Sequence, residues 1–584
     1  MSNGTYWDKF TNNRVTRRRA MQMAGIGAAS AGAIALVGCG SGDDDPSGTT
    51  PGAGSTPASG SITRGGVLRG TLPLITGKDP HKGSSFIPHA VGSYTYSRLL
   101  RFKTAEGVLP AEDRYRAVPE LASEWEKVDE TTYIFTLNPA AKMHNVAPTN
   151  GRAVTAEDVV YSYQRYSAES PNKANLTDVV DSVEASADGK QVTFKLKAPF
   201  GLFLERLASY QDLWIIPKEL IDANLQDETP VGSGPFMFES FEQGVKAAWK
   251  RNPDYFEQGA DGQALPYIDG AEIVLIPDPT QVIAQFTAGQ LDTISPSAQL
   301  VASLPSSAII DKAPRNILNF LFFEPGSFLA EKPPFNDDRV RRAFSRAIDR
   351  DALLGIASPD GGRWANMPVQ AGFSEFWWLD PQGPDIGSAG ENYRFDVAEA
   401  KALFEAAGVD SLSVPMHFSS NVYNIIVPYY DVVRQTLPNM LKEAGVTVNP
   451  VPEEYSSVFI PQTWGGQFDG FALGLQSVFS DVGSYWTAMF YDRAAGGIRN
   501  FSSVADETLR SRIKSMLELQ SVEEIREANL DLQKYTSEKM HYVPLITPVE
   551  YTARQPRIKG AVNIEGPTTY AIGTEGALNV WLEG

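Results

Sequence analysis

The residues able to do chemistry in this 584-residue chain are numerous but rarely fall into a reactive pattern. His81, His89, His144, His417 and His541 are scattered, with no two at metal-ligand spacing. Cys39 is the single cysteine, so the chain offers neither an intrachain disulfide nor a multi-cysteine metal site. His-Glu-x-x-His, Gly-x-Ser-x-Gly and Gly-x-Gly-x-x-Gly with its strand and helix are all missing. Gly232-Ser233-Gly234 lacks the Lys-Ser/Thr and helix start of a phosphate loop. Seventy acids could supply a carboxylate pair, so composition leaves a glycosidase open. What remains is binding chemistry. Asp481 is the one acid in Leu475–Trp486, and suits either an amine anchor or a helix N-cap. Tyr485 and Trp486 follow it. Trp364, Trp377 and Trp378 lie in a Gly-rich segment, and Asn421 and Tyr423 follow a strand pattern. Aromatic faces can hold an extended solute by shape and stacking, although such residues more often fill cores. The Trp377-Trp378 pair is the one expected to face a ligand.

These groups need a scaffold, and its clearest stretch is Pro119–Tyr163. Tyr133, Phe135 and Leu137 alternate with Thr132, Ile134 and Thr136, which predicts a strand. Thr155 with Asp158 three residues on predicts a capped helix start. Ala156, Val159, Val160 and Tyr163 then share one helical face. Further along, Val91–Leu100 reads as a helix, Gln191–Leu196 as a strand, and Phe200–Leu207 as a short helix. Val340, Ala343, Phe344, Ala347 and Ile348 form another apolar helical face. Arg341 and Arg342 flank it and are expected on a solvated, salt-bridged side. Asp396–Gly408 and Tyr430–Gly445 each read as a helix ended by glycine. A long helix around Val522–Glu538 precedes a returning strand, Tyr542–Ile546.

Taken in order, these segments carry more than secondary structure. Leu121-Ala122-x-x-Trp125-Glu126, Tyr133-x-Phe135-x-Leu137 and Thr155-Ala156-x-Asp158-Val159-Val160-Tyr161-Ser162 run in series. Gly232-Ser233-Gly234-Pro235-Phe236, Arg251-Asn252-Pro253-Asp254-Tyr255-Phe256 and Asp396-x-x-x-Ala400-Lys401-x-Leu403 follow. This series resembles the extracytoplasmic solute-binding proteins of the peptide/nickel type, family 5 of the ABC-importer binding proteins. Lys142-Met143-His144-Asn145 stands where that family usually carries a Phe-His-Asp-Gly-like turn.

The resemblance implies an α/β, periplasmic-binding-protein-like fold. It would have two lobes with a hinge, in the large class II three-part variant with an extra small α/β domain. Residues 62–102, 213–324 and 538–584 would form lobe I, 103–212 the accessory domain and 325–537 lobe II. Hinge strands are implied near Phe320–Glu324 and Ser537–Pro544. The loop after the opening strand lines the ligand cleft in relatives, which adds Ser84 and Ser85, with His81 and Lys82 nearby, as candidate contacts. In peptide-binding relatives an acid in an Ala-Asp-Tyr-x-x-Pro context holds the ligand's α-amino group. Asp481 is displaced from that position by a few residues, and the proline is missing. Pro119–Tyr163 itself is expected to be scaffold.

The N-terminal stretch fits an exported protein. Thr16-Arg17-Arg18-Arg19 precedes an uncharged Ala/Gly-rich run that closes on Leu36-Val37-Gly38-Cys39. Residues 1–38 therefore read as a signal peptide with a twin-arginine-like motif, and Cys39 as a lipobox cysteine, with cleavage before it and lipid attached to it. Gly40–Gly60, rich in Gly, Ser, Pro, Thr and Asp, belongs to a tether, residues 39–61, with a span of roughly 25 Å. Net charge is −19, and removing the +4 of residues 1–38 leaves −23. Such an acidic body argues against nucleic acid as a partner.

The expected function is a monomeric substrate-binding lipoprotein on the outer face of the cytoplasmic membrane, with no cofactor and no catalysis. It would capture an oligopeptide or dipeptide between its lobes and deliver it to an ABC permease and ATPase complex. A non-peptide solute such as an oligosaccharide, an exported hydrolase, and a sensory or chaperone-like surface protein are the alternatives.

Overall fold

The computed structural model describes residues 62–83, 86–104, 109–314, 317–421, 429–476, 479, 481–492, 499–560 and 574–583. The leader, the lipobox cysteine and the tether fall outside them. Three sheets organise the described chain. The first is built on Val67–Leu72, which pairs in parallel with Gly270–Leu275. Lys246–Arg251 and Phe236–Glu242 extend it antiparallel. The second, an antiparallel sheet of Ala122–Lys127, Thr132–Leu137, Gln191–Leu196 and Val180–Ala185, carries the helix Ala156–Glu169. The third has the order Val446–Glu453, Leu412–Ser419, Phe471–Gln476, Leu318–Phe323, Val543–Pro544. Its first three strands are parallel, and the last two enter antiparallel. Helices Asp338–Arg346, Val397–Ala406 and Tyr430–Glu443 contribute apolar faces to the core on this sheet.

The opening stretch folds as its patterning predicts. Tyr133, Phe135 and Leu137 are buried while Thr132, Ile134 and Thr136 stay partly exposed. Asp158 accepts from the Thr155 backbone N–H at 3.0 Å, tying the helix start to its cap, and Arg152 forks onto the same carboxylate at 2.7 and 2.8 Å.

Two expectations are corrected. Val91–Leu100 is not a helix: the helix is Phe86–Gly92, and the chain then turns into the strand Leu100–Phe102. The main chain of Tyr94 and Thr95 serves a different partner, since Phe236 and Gly234 donate to their carbonyls at 3.0 and 2.9 Å. The Gly232–Gly234 turn presses so close that a Cβ at position 234 would sit 2.7 Å from the Thr95 carbonyl. Arg341, expected on a solvated face, is buried. Its guanidinium donates to the carbonyls of Met540, Lys539, Phe335 and Asn336, closing the C-terminal end of the helix Val522–Lys539. Burial pulls its pKa down to about 10. Arg342 does face solvent and pairs with Asp338 one turn back.

Candidate functional site

Segments remote in sequence meet along one seam, and the pair at its centre is Arg206 with Asp481. Arg206 belongs to a short helix, Phe203–Leu207, just after the antiparallel sheet. Asp481 is the N-cap of the helix Val482–Phe490. The guanidinium holds the carboxylate in a two-pronged contact, Nε to Oδ2 at 2.6 Å and Nη2 to Oδ1 at 3.1 Å. Ser484 adds its backbone N–H at 2.9 Å and its hydroxyl at 2.6 Å. Asp481 thus accepts four hydrogen bonds while almost fully buried. Arg206 turns its third nitrogen to the Asn175 carbonyl and lays its carbon over the Phe200 ring at 4.9 Å. Burial works against the Arg206 charge, but the Asp481 carboxylate outweighs it and leaves the pKa raised.

Packing around the pair is tight. A Cβ at Gly201 would lie 2.2 Å from the Leu519 carbonyl oxygen, and one at Gly483 would lie 2.6 Å from Leu517. At Gly201 the neighbour is backbone, so only glycine allows the approach, whereas Gly483 faces the Leu517 side chain.

Beside the ion pair runs a chain of aromatic rings. Phe102 meets Tyr115 at 5.3 Å, Tyr115 meets Phe373 at 3.7 Å, Phe373 meets Tyr485 at 5.2 Å and Tyr485 meets Phe479 at 5.2 Å. Ser374 Oγ donates to the Ala111 carbonyl at 2.7 Å across the same line. Tyr485 is fully buried, with its hydroxyl close to the Phe479 main chain, and burial pushes its pKa up. Among the described residues, no three His, Cys, Asp or Glu side chains converge to hold a metal ion.

Residues 116–497 match the family model for bacterial extracellular solute-binding proteins, family 5, middle region. The chain belongs to this family. Family 5 proteins bind solutes for transport and are not enzymes. Di/tripeptide-binding protein 2 of Pseudomonas aeruginosa is 24% identical over 475 residues, covering 76% of this chain and 83% of that protein. Heme-binding protein A of Haemophilus influenzae is 23% identical over 514 residues, covering 82% and 86%. Among solved structures, the periplasmic binding protein DppA of Helicobacter pylori, in complex with peptide STSA, superposes with a TM-score of 0.71. It is 20% identical and covers 89% of this chain and 99% of its own. The two-lobed α/β architecture is therefore that of the family, as the motif series implied.

On this family 5 scaffold the sequence-predicted residues divide. Asp481, Tyr485 and Trp486 share one capped helix on the seam. Trp486 Nε1 donates to Asn529 Oδ1 at 2.9 Å, and Asn529 Nδ2 donates to the Trp377 carbonyl at 2.6 Å. Trp377 is thereby bound to the same group, although its ring is buried against Phe376. Trp378, its neighbour, turns elsewhere: its ring lies under Arg363 at 5.2 Å, and its buried Nε1 has no hydrogen-bond partner among the described residues. Trp364 joins a separate core with Leu379, Ile386 and Tyr393 and bonds Asp351 at 2.7 Å. Asn421 is exposed at the far sheet edge, bonded to Glu454 at 2.8 Å and to the Tyr455 N–H at 3.0 Å. Ser84, Ser85, Tyr423 and Cys39 lie outside the described residues. His81 and Lys82 form a single helical turn, His81 buried and Lys82 exposed.

Sequence reading missed Arg206, Tyr115, Phe373 and Phe479. Arg206 sits in Phe-Leu-Glu-Arg-Leu, which carries no signal beyond a short helix. Its partner is 275 residues away.

Proposed function

We propose that this protein captures a solute outside the cytoplasmic membrane, along the seam that Tyr115, Phe373, Phe479 and Tyr485 line, and hands it to an ABC permease driven by its ATPase. The observation that carries the reading is the aromatic chain on the seam. Aromatic faces hold an extended solute without demanding one side-chain sequence, and a few polar groups set its register. Trp377 and Trp486, coupled through Asn529, support that wall. Trp378, Trp364, Asn421, Tyr423, Ser84 and Ser85 are retained as contacts of lower weight.

The solute class we favour is a short peptide, in line with the name of the Pseudomonas relative. A non-peptide solute is the second reading, favoured by the comparably similar relative named for heme. We further propose lobe boundaries at residues 102, 212, 324 and 537. Closure would bend the segments around Phe320–Glu324 and Ser537–Pro544, which pair at Phe320 with Pro544 and Leu321 with Val543. Export would use the twin-arginine-like leader. Lipid on Cys39 would keep the acidic body, working as a monomer on a flexible tether, at the outer membrane face near the permease.

The deciding experiment is mass spectrometry of material released by denaturing the purified protein, followed by titration calorimetry with what is found. Saturable one-to-one binding with the solute recovered intact is expected. Conversion of the solute to products would overturn the reading in favour of a hydrolase.

A further inference from the structure

Of the buried charges, the Arg206–Asp481 pair is the one whose chemistry bears on what the seam can bind. A carboxylate at a binding seam is the natural anchor for a ligand ammonium, which brings up to three N–H donors. Here that role is already filled. Asp481 accepts Arg206 Nε and Nη2, the Ser484 N–H and the Ser484 hydroxyl, at 2.6, 3.1, 2.9 and 2.6 Å. A carboxylate offers about four lone-pair directions, so no acceptor capacity is left for a further cation. Displacing the guanidinium would strand it in a closed setting. Phe200 covers one side, the Asn175 carbonyl takes Nη1, and Gly201 against Leu519 leaves no slack for the helix to withdraw. An uncompensated buried charge of this kind is strongly unfavourable. The neighbouring groups are of another kind: the uncharged rings of Phe373, Tyr485 and Phe479.

We propose that Arg206 is the specificity-determining residue of this seam. Its guanidinium stands in permanently for a ligand cation on Asp481. The protein therefore selects solutes without a free ammonium group, such as N-blocked peptides or uncharged aromatic solutes. The inference rests on the solute-binding reading above and narrows it.

The test compares two probes on the full protein by calorimetry: phenylalanyl-phenylalanine amide and its N-acetyl derivative. The wild type should bind the acetylated probe at least as tightly as the free amine. Arg206→Met, which frees Asp481, should shift the ratio at least tenfold toward the free amine. The double variant Arg206→Met/Asp481→Asn, which keeps the helix cap and removes both charges, should cancel that shift. A wild type that prefers the free amine tenfold, with the preference lost on Asp481→Asn, overturns the proposal. Should Arg206→Met fail to fold, the double variant decides: a wild-type probe ratio supports the proposal, and selective loss of the free amine overturns it. Should the wild type bind neither probe, the peptide reading fails separately. The solute released from the protein then decides, through reaction with a primary-amine reagent. No labelled amine supports the proposal, and a labelled one overturns it.

Discussion

Two regions of this molecule bury polar groups, and they do so in opposite ways. Near the opening loop, His81, His89 and His144 are all buried and all bond to main chain. His81 Nε2 meets the Trp214 carbonyl at 2.8 Å, His89 Nε2 the Gly83 carbonyl at 3.1 Å, and His144 Nε2 the Gly234 carbonyl at 3.0 Å. A carbonyl only accepts, so each Nε2 carries the proton. For His144 the other nitrogen accepts the Gly232 N–H at 3.3 Å, which makes that ring neutral. These rings pin turns in place. The seam buries charge instead, side chain to side chain, between segments 275 residues apart. The histidine bonds fix the backbone and depend on neutral rings, beside a buried Asp79–Arg165 ion pair. The seam pair joins segments far apart in the chain and depends on charge.

Acid should separate the two regions most strongly. Burial pulls His81 down to about 3 and His89 and His144 down to about 4, against an ordinary 6.5. The unfolded chain binds these protons below pH 6.5 and the folded one does not. Stability from these histidines is thus full above 6.5 and falls as pH drops toward 4. Each should cost on the order of 3 kcal/mol by pH 4. Hydrogen exchange, corrected for intrinsic rates, should show residues 79–97 and 141–154 losing protection before residues 481–490. Equal loss in both regions would break the comparison.

The ion pair gives the next largest effect. Arg206→Met leaves Asp481 buried and unmatched and should cost about 3–5 kcal/mol. Adding Asp481→Asn, which keeps a good cap, should restore all but about 1–2 kcal/mol. Denaturant midpoints of the two variants measure this. If both are equally unstable, the site needs the pair for packing rather than for charge balance.

This difference also explains what the sequence could reveal. Tyr133, Phe135 and Leu137, or Thr155 with Asp158, are local patterns, and local patterns survive into the fold. Arg341 misled because an arginine beside acids reads as surface. Only the end of the helix Val522–Lys539, brought in from far along the chain, makes it a buried cap. Val91–Leu100 misled because its main-chain carbonyls are claimed by the Gly232–Phe236 turn, a partner that periodicity cannot see. Asp481 was legible as one residue with two possible roles. Its capping role follows from Ser484 three residues on, whereas Arg206 had no local trace.

The smallest effect sharpens the comparison from the alkaline side. Glu205, half-buried and next to Arg206 on the seam helix, has its carboxyl pushed up to about 7. Burial is the main cause and the nearby Asp481 charge adds to it. A folded pKa above the unfolded value means the native state holds the proton more tightly. That stability is full below about 4.5 and is lost as pH rises through 7. Glu205→Gln fixes the neutral form at every pH. It should leave stability unchanged at pH 4.5 and raise it at pH 8 by about 1–2 kcal/mol, after allowing for solvent screening of a half-buried group. Denaturant midpoints at the two pH values give the answer, and equal midpoints for variant and wild type at pH 8 would sink it. If the gain is found, acid loosens the histidine-pinned frame while alkali loosens the seam. Between them lies the pH range in which a fixed frame and a charge-balanced seam coexist.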